Sequence, residues 1–184
     1  FELLSDQLSD SHFNYFMFRD FQSRNIIVKN DEVFFIDFQG GMKGGMPYDV
    51  ASLLWQAKAE LSNEWKERLL NDYIKEAEQV LGETIDANLF KKQYHGFVLL
   101  RLLQVLGAYG FRGLFERKAH FLTSIPLGLR NLKSFLEVYT LDKDTPVFAG
   151  ILKWMVGQEV LDRFTPIQAT EKTPLVITIN SFSY

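Results

Sequence analysis

Residues 16–41, "FMFRDFQSRNIIVKNDEVFFIDFQGG", decide the fold of this chain. They set Asp20, Asn25 and Asp37 around two short apolar runs and place a glycine pair directly after the second. "NIIVK" and "EVFFIDF" are rich in the β-branched and aromatic residues that suit strands. Asn30 and Asp31 between them tolerate left-handed backbone, so the two runs read as a hairpin. The loop before the hairpin carries Asp20 and Asn25, and its far end carries Asp37. Antiparallel strands bring their outer ends together, so these three side chains are expected in one place.

After the hairpin the apolar period changes from two to that of a helix. "YDVASLLWQAK" carries Val50, Leu53, Leu54 and Ala57 on one stripe with Asp49 as the expected N-cap. "SNEWKERLLNDYIKEAEQVLG" reads as a helix capped by Ser62 and stopped by Gly82, with Trp65, Leu69, Tyr73, Ala77 and Val80 on its expected inner face. "DANLFKKQYHGFVLLRLLQVLGAYG" is the longest and most apolar helix and belongs at the centre. "SIPLGLRNLKSFLEVYT" and "TPVFAGILKWMVGQEVLDRF" complete a helical array, and no convincing strand is found between residues 49 and 164. Residues 165–174, "TPIQATEKTP", read as a linker, and 175–184, "LVITINSFSY", alternate like the first strand of a following domain. The fold class is therefore mainly α with a small β-hairpin, in one unit over residues 1–164 with the loop and hairpin at 17–42 and the helical array at 49–164. The opening text is helix-like and polar, and both ends read as cuts in a longer protein.

The 184 residues allow one domain with a real core. Apolar residues are 47% and charged residues 23%, which fits a soluble globular chain and favours neither disorder nor a membrane protein. The net charge of −3, with no basic block, gives extended nucleic-acid binding little electrostatic support. With no cysteine, disulfides and thiolate chemistry are excluded, and a reducing, cytoplasmic setting is expected. No apolar run of about 18 residues suggests a membrane span.

Phosphoryl transfer from a nucleotide needs a carboxylate beside the acceptor hydroxyl and oxygen ligands that hold magnesium against the phosphates. Arg-Asp-x-x-x-x-Asn puts a base and a neutral metal ligand on the two sides of one tight loop, and a second Asp at the end of the hairpin reaches the same metal. Gly40 and Gly41 are expected to turn the chain sharply beyond it.

"FRDFQSRN" with "IDFQGG" resembles the catalytic loop and metal-binding motif of the protein-kinase-like fold, in the spelling of the aminoglycoside phosphotransferase and choline kinase group. With "YDVASLL" and "RLLQVLGAYG" they look most like bacterial kinases that phosphorylate the anomeric hydroxyl of N-acetylmuramate and N-acetylglucosamine in cell-wall recycling. "VITINSFSY" resembles the start of the C-terminal domain of the RNase-adaptor family. The resemblance implies the C-terminal lobe of a kinase-like (α+β) fold, with ATP and Mg2+ as cofactors and a small-molecule hydroxyl, in an amino sugar, as acceptor. It further implies that Asp20 is the catalytic base, that Asn25 and Asp37 are the magnesium ligands, and that Arg19 and Asp49 support the loop. Phe18 departs from the group, which has His two residues before the Asp; an aromatic ring there is expected to hold the loop by packing.

No glycine-rich loop followed by a strand lysine is present, so the parts that cover the ATP phosphates are expected from a missing N-terminal lobe. "GGMKGG" reads instead as a flexible segment near the acceptor side. By itself the lobe is expected to transfer essentially nothing. His12, His95 and His120 have no metal-like spacing and read as surface or packing residues. Arg101 and Gln104, one turn apart in a very apolar helix, face either a buried carboxylate or a substrate cleft. Arg24 pairs with an acid or contacts the acceptor. A module that senses a nucleotide or sugar without catalysis, and an aminoglycoside- or choline-type kinase, are the alternative readings.

Overall fold

The computed structural model describes Leu8, residues 14–141 and residues 145–164. The helix end expected before Leu8, His12, the linker and the terminal strand all lie outside the described residues.

The hairpin forms where the composition puts it. Strand β2 (Ile26–Lys29) pairs with β3 (Glu32–Phe35) antiparallel, with Ile26 opposite Phe35 and Lys29 opposite Glu32. Asn30 and Asp31 have φ of 52° and 61°, the two successive left-handed residues of a tight primed turn. A second pairing was not foreseen: β1 (Tyr15–Met17) runs antiparallel to β4 (Met42–Gly44), with Phe16 opposite Lys43. "GGMKGG" is therefore pinned at its centre as a strand, and the expectation of a flexible segment is corrected. The glycine pair also works differently from expectation, because neither Gly40 nor Gly41 takes positive φ. A Cβ on Gly41 would lie 2.5 Å from the Phe16 ring, so its lack of a side chain permits the close approach of the turn to β1.

Beyond β4 the structure is helical: α1 (Pro47–Leu54), α2 (Asn63–Leu81), α3 (Ala87–Gly110), α4 (Ala119–Leu122), α5 (Ile125–Val138), α6 (Pro146–Met155) and α7 (Gln158–Arg163). A π-turn, Phe111–Phe115, extends α3. Pro47 sits in the first turn of α1, where its fixed φ and missing N–H cost nothing, and this moves the helix start upstream of the expected place. Asp49 is thus inside the first turn and is not the N-cap. Ser62 does cap α2, accepting from the Trp65 amide, and Gly82 ends it with φ of 70°.

The inner face of α2 centres on Lys66, Leu70 and Ile74; Leu69 and Tyr73 of the predicted stripe pack half-buried against the core, while Trp65 and Val80 are exposed, a small rotation. Lys66 on that face meets Trp55, its Nζ 3.8 Å from the ring in a cation–π contact. Trp55 is a hub: its indole N–H donates to Tyr94 Oη at 2.9 Å, its carbonyl accepts from Asn131 Nδ2 at 2.6 Å, and its ring meets Phe135 edge-on. The last predicted helix is split into α6 and α7 at Gly157.

α3 is the central helix and packs on α1 and α5. Its buried side chains include Phe90, Tyr94, Phe97, Val98, Leu102 and Leu106, and Gly128 lets α5 approach Leu106 closely. Contrary to the sequence reading, the continuous helix Ala87–Phe115 is long and apolar enough to cross a membrane by length and composition. Its apolar content is that of a helix whose residues supply the core of the bundle.

Candidate active site

The loop after β1 is built from the backbone of its first residues. Phe18 is buried, 5.5 Å from the Phe21 ring and 6.5 Å from Phe35, so three aromatic rings fasten the loop to the hairpin. Arg19 follows with φ of 73°, a left-handed conformation that costs a non-glycine residue about 1 kcal/mol. The Asp49 carboxylate holds that kink: Oδ2 accepts from the Phe18 amide at 2.5 Å and Oδ1 from the Arg19 amide at 3.0 Å. Burial raises the pKa of Asp49 above the usual carboxylate value, while these two amides and the Arg101 charge pull it down by less. Arg19 Nη1 donates to the Gly40 carbonyl at 3.4 Å, a long contact between the loop and the glycine turn.

Asp20 is exposed, and Asn25 is buried at the other end of the loop. Asn25 Nδ2 donates to the Asp20 carbonyl at 2.9 Å, which closes the loop. Its amide nitrogen is thereby used, and Oδ1 is left as a neutral oxygen acceptor. The Ile36 amide donates to the Asn25 carbonyl at 3.0 Å, which joins the end of β3 to the loop and brings the next residue, Asp37, alongside. Asp37 has φ of 66° and its carboxylate accepts from Gln39 Nε2 at 2.7 Å. The left-handed Arg19 directly precedes Asp20 and Asp37 is itself left-handed, and such strain persists only where surrounding contacts impose it. Asp20, Asn25 and Asp37 are therefore brought into one neighbourhood.

Ser23 anchors the loop on its other side, its amide donating to Gln56 Oε1 at 2.9 Å. Among the described residues Arg24 has no carboxylate partner; with the Gln22 carboxamide turned to satisfy both groups, its oxygen accepts from Arg24 Nη2 at 3.0 Å and Nε at 3.1 Å. Arg101 Nη1 donates to Tyr48 Oη at 3.0 Å and to Gln104 Oε1 at 3.2 Å. Arg24, Arg101 and Gln104 all line one cleft of about 640 Å³ between the loop, α1, α3 and α4. The same cleft is bordered by Arg112, Tyr109 and Phe121, which sequence reasoning missed because the chain reverses after the π-turn.

Among the described residues no group of three His, Cys, Asp or Glu side chains is arranged for a metal ion. Asn25 Oδ1 and the Asp37 carboxylate supply two oxygen donors, which suits a cation that completes its shell with phosphate oxygens and water.

Residues 1–83 match the phosphotransferase enzyme family, APH. The match spans the Asp20–Asn25 loop, both strand pairs, α1 and α2, and it supports a phosphotransferase. No curated protein is significantly similar to the chain. The mainly helical architecture with short strands fits a fragment of such a phosphotransferase domain, and Arg101, Gln104 and Arg112 lie beyond the matched segment.

Proposed function

We propose that the chain carries the acceptor-side half of an ATP- and Mg2+-dependent small-molecule kinase site, acting on a hydroxyl of an amino sugar such as N-acetylmuramate or N-acetylglucosamine. The observation that carries this reading is the double clasp on Asn25. Its side chain holds Asp20 and its carbonyl holds the residue before Asp37. Asp20 accepts the proton of the acceptor hydroxyl, or orients that hydroxyl, as it attacks the terminal phosphorus. Asn25 and Asp37 would hold the magnesium ion, whose charge offsets that of the phosphates. Asp49 and the rings of Phe18, Phe21 and Phe35 keep the loop in one geometry, so its placement costs nothing during reaction.

The test is turnover of the full-length protein with ATP, magnesium and a panel of N-acetylated sugars, beside Asp20→Asn. Loss of a positioned base is expected to lower kcat by about 100-fold or more. Transfer that Asp20→Asn leaves untouched would sink the assignment, and sugar binding with no transfer by either protein would favour a sensing module.

A further inference from the structure

The cleft beside the Asp20 loop has a sign opposite to that of the chain. The protein carries a net charge of −3, yet among the described residues those lining the cleft include Arg24, Lys58, Arg101 and Arg112 and not one aspartate or glutamate. Each guanidinium is braced by a neutral group. Arg24 lies against the Gln22 carboxamide, Arg101 against Tyr48 and Gln104, and Arg112 stands 5.2 Å from the Phe121 ring.

The carboxylates that feel these charges are engaged elsewhere. Asp49, influenced by Arg101, accepts from the Phe18 and Arg19 amides, and Glu116, influenced by Arg112, is bridged to Lys118 at 2.6 Å. Both buried side-chain polar atoms found without a partner among the described residues, Arg101 Nε and Ser52 Oγ, belong to residues of this same cleft. Unmatched buried polar groups are costly and are retained where something else satisfies them. Three guanidinium groups around one cleft, held in place and without a salt-bridged carboxylate among the described residues, suit a planar or tetrahedral oxyanion.

We propose that the cleft binds an anionic group, carboxylate or phosphate, on the molecule whose hydroxyl is presented to Asp20, with Arg101 and Arg112 as the principal ligands and Arg24 at the loop side. Gln22, Ser23 and Arg24 form one wall and belong to the same loop as Asp20, which itself lies outside the lining of the cleft. This deepens the kinase reading and rests on it only for the role of Asp20.

Isothermal titration calorimetry on the full-length protein without nucleotide tests the proposal. Three probes share one ring: N-acetylglucosamine, N-acetylmuramate, which adds a carboxylate, and N-acetylglucosamine 6-phosphate. An anionic probe is expected to bind about 10-fold tighter than the neutral one, the scale of one charge-assisted hydrogen bond. Whichever anionic probe is tighter identifies the group. Arg101→Gln and Arg112→Gln should each close most of that gap, and Arg112 is exposed, so its replacement should leave the melting curve unchanged. Equal affinity for all three probes, or a gap that both variants preserve, overturns the proposal. Discrimination without turnover when ATP and magnesium are added would sink the kinase reading and leave the anion site standing; turnover without discrimination would do the reverse.

Discussion

Asp49 shows how much one side chain decides in this protein. It is placed by Pro47, which starts α1 early, and it spends both carboxylate oxygens on the amides of Phe18 and Arg19. The left-handed Arg19 is therefore imposed from outside the loop and would relax without that carboxylate. Asp49→Ala is expected to lower the unfolding free energy by about 2 kcal/mol, since hydrogen bonds to a charged group are worth roughly 1.5–3 kcal/mol, and urea denaturation would measure it. The same variant should lose affinity for any acceptor held against Gln22–Arg24. The helix pattern marked Asp49 as a cap, and only the family resemblance implied a role in supporting the loop, because a cap and a long-range brace use the same short acidic side chain.

At the scale of elements, α3 is joined to α5 through His95. Its ring lies 4.9 Å from Tyr139 and 6.3 Å from Phe135, with Glu67 and Lys91 as the charged groups that influence it. Burial holds its pKa below the usual value of about 6.5; Glu67 pulls it back up by less, and Lys91 adds to the lowering. Above that usual value both folded and unfolded chains carry neutral His95, and its packing contributes in full. As pH falls through about 6.5 the unfolded chain gains a proton that the folded one resists, so stability drops. The melting temperature should fall more between pH 7.5 and pH 5.5 in the wild type than in His95→Phe. Equal falls would show that His95 is not the acid-sensitive group in this packing.

Across the whole molecule, the hairpin and the residues after it carry a run of exposed large apolar side chains. Val28 and Phe38 are 69% and 60% exposed, and Ile27, Val33, Phe34, Ile36 and Met42 also present large apolar surface. Contiguous apolar surface on paired strands drives association. The 184-residue chain is expected to bind a hydrophobic dye and to sediment with a concentration-dependent mass, and Val33→Lys with Phe38→Lys should reduce both. Unchanged dye binding in that double variant would mean that the dye reports another surface.

What the sequence by itself determined was local. The hairpin and its Asn30–Asp31 turn, the Ser62 cap, the Gly82 stop and the central place of α3 follow from side-chain chemistry acting within a few residues. The spacing of Asp20, Asn25 and Asp37 was legible for the same reason, since a loop and a hairpin keep near neighbours close. The tertiary structure alone decided what depends on distant partners. It pinned Met42–Gly44 against Tyr15–Met17 and turned α2 so that Lys66 meets Trp55. It also gathered Arg24, Arg101 and Arg112 around one cleft. Charges far apart along the chain carry no signature of their meeting, because only the packing of α1, α3 and α4 sets the distance between them.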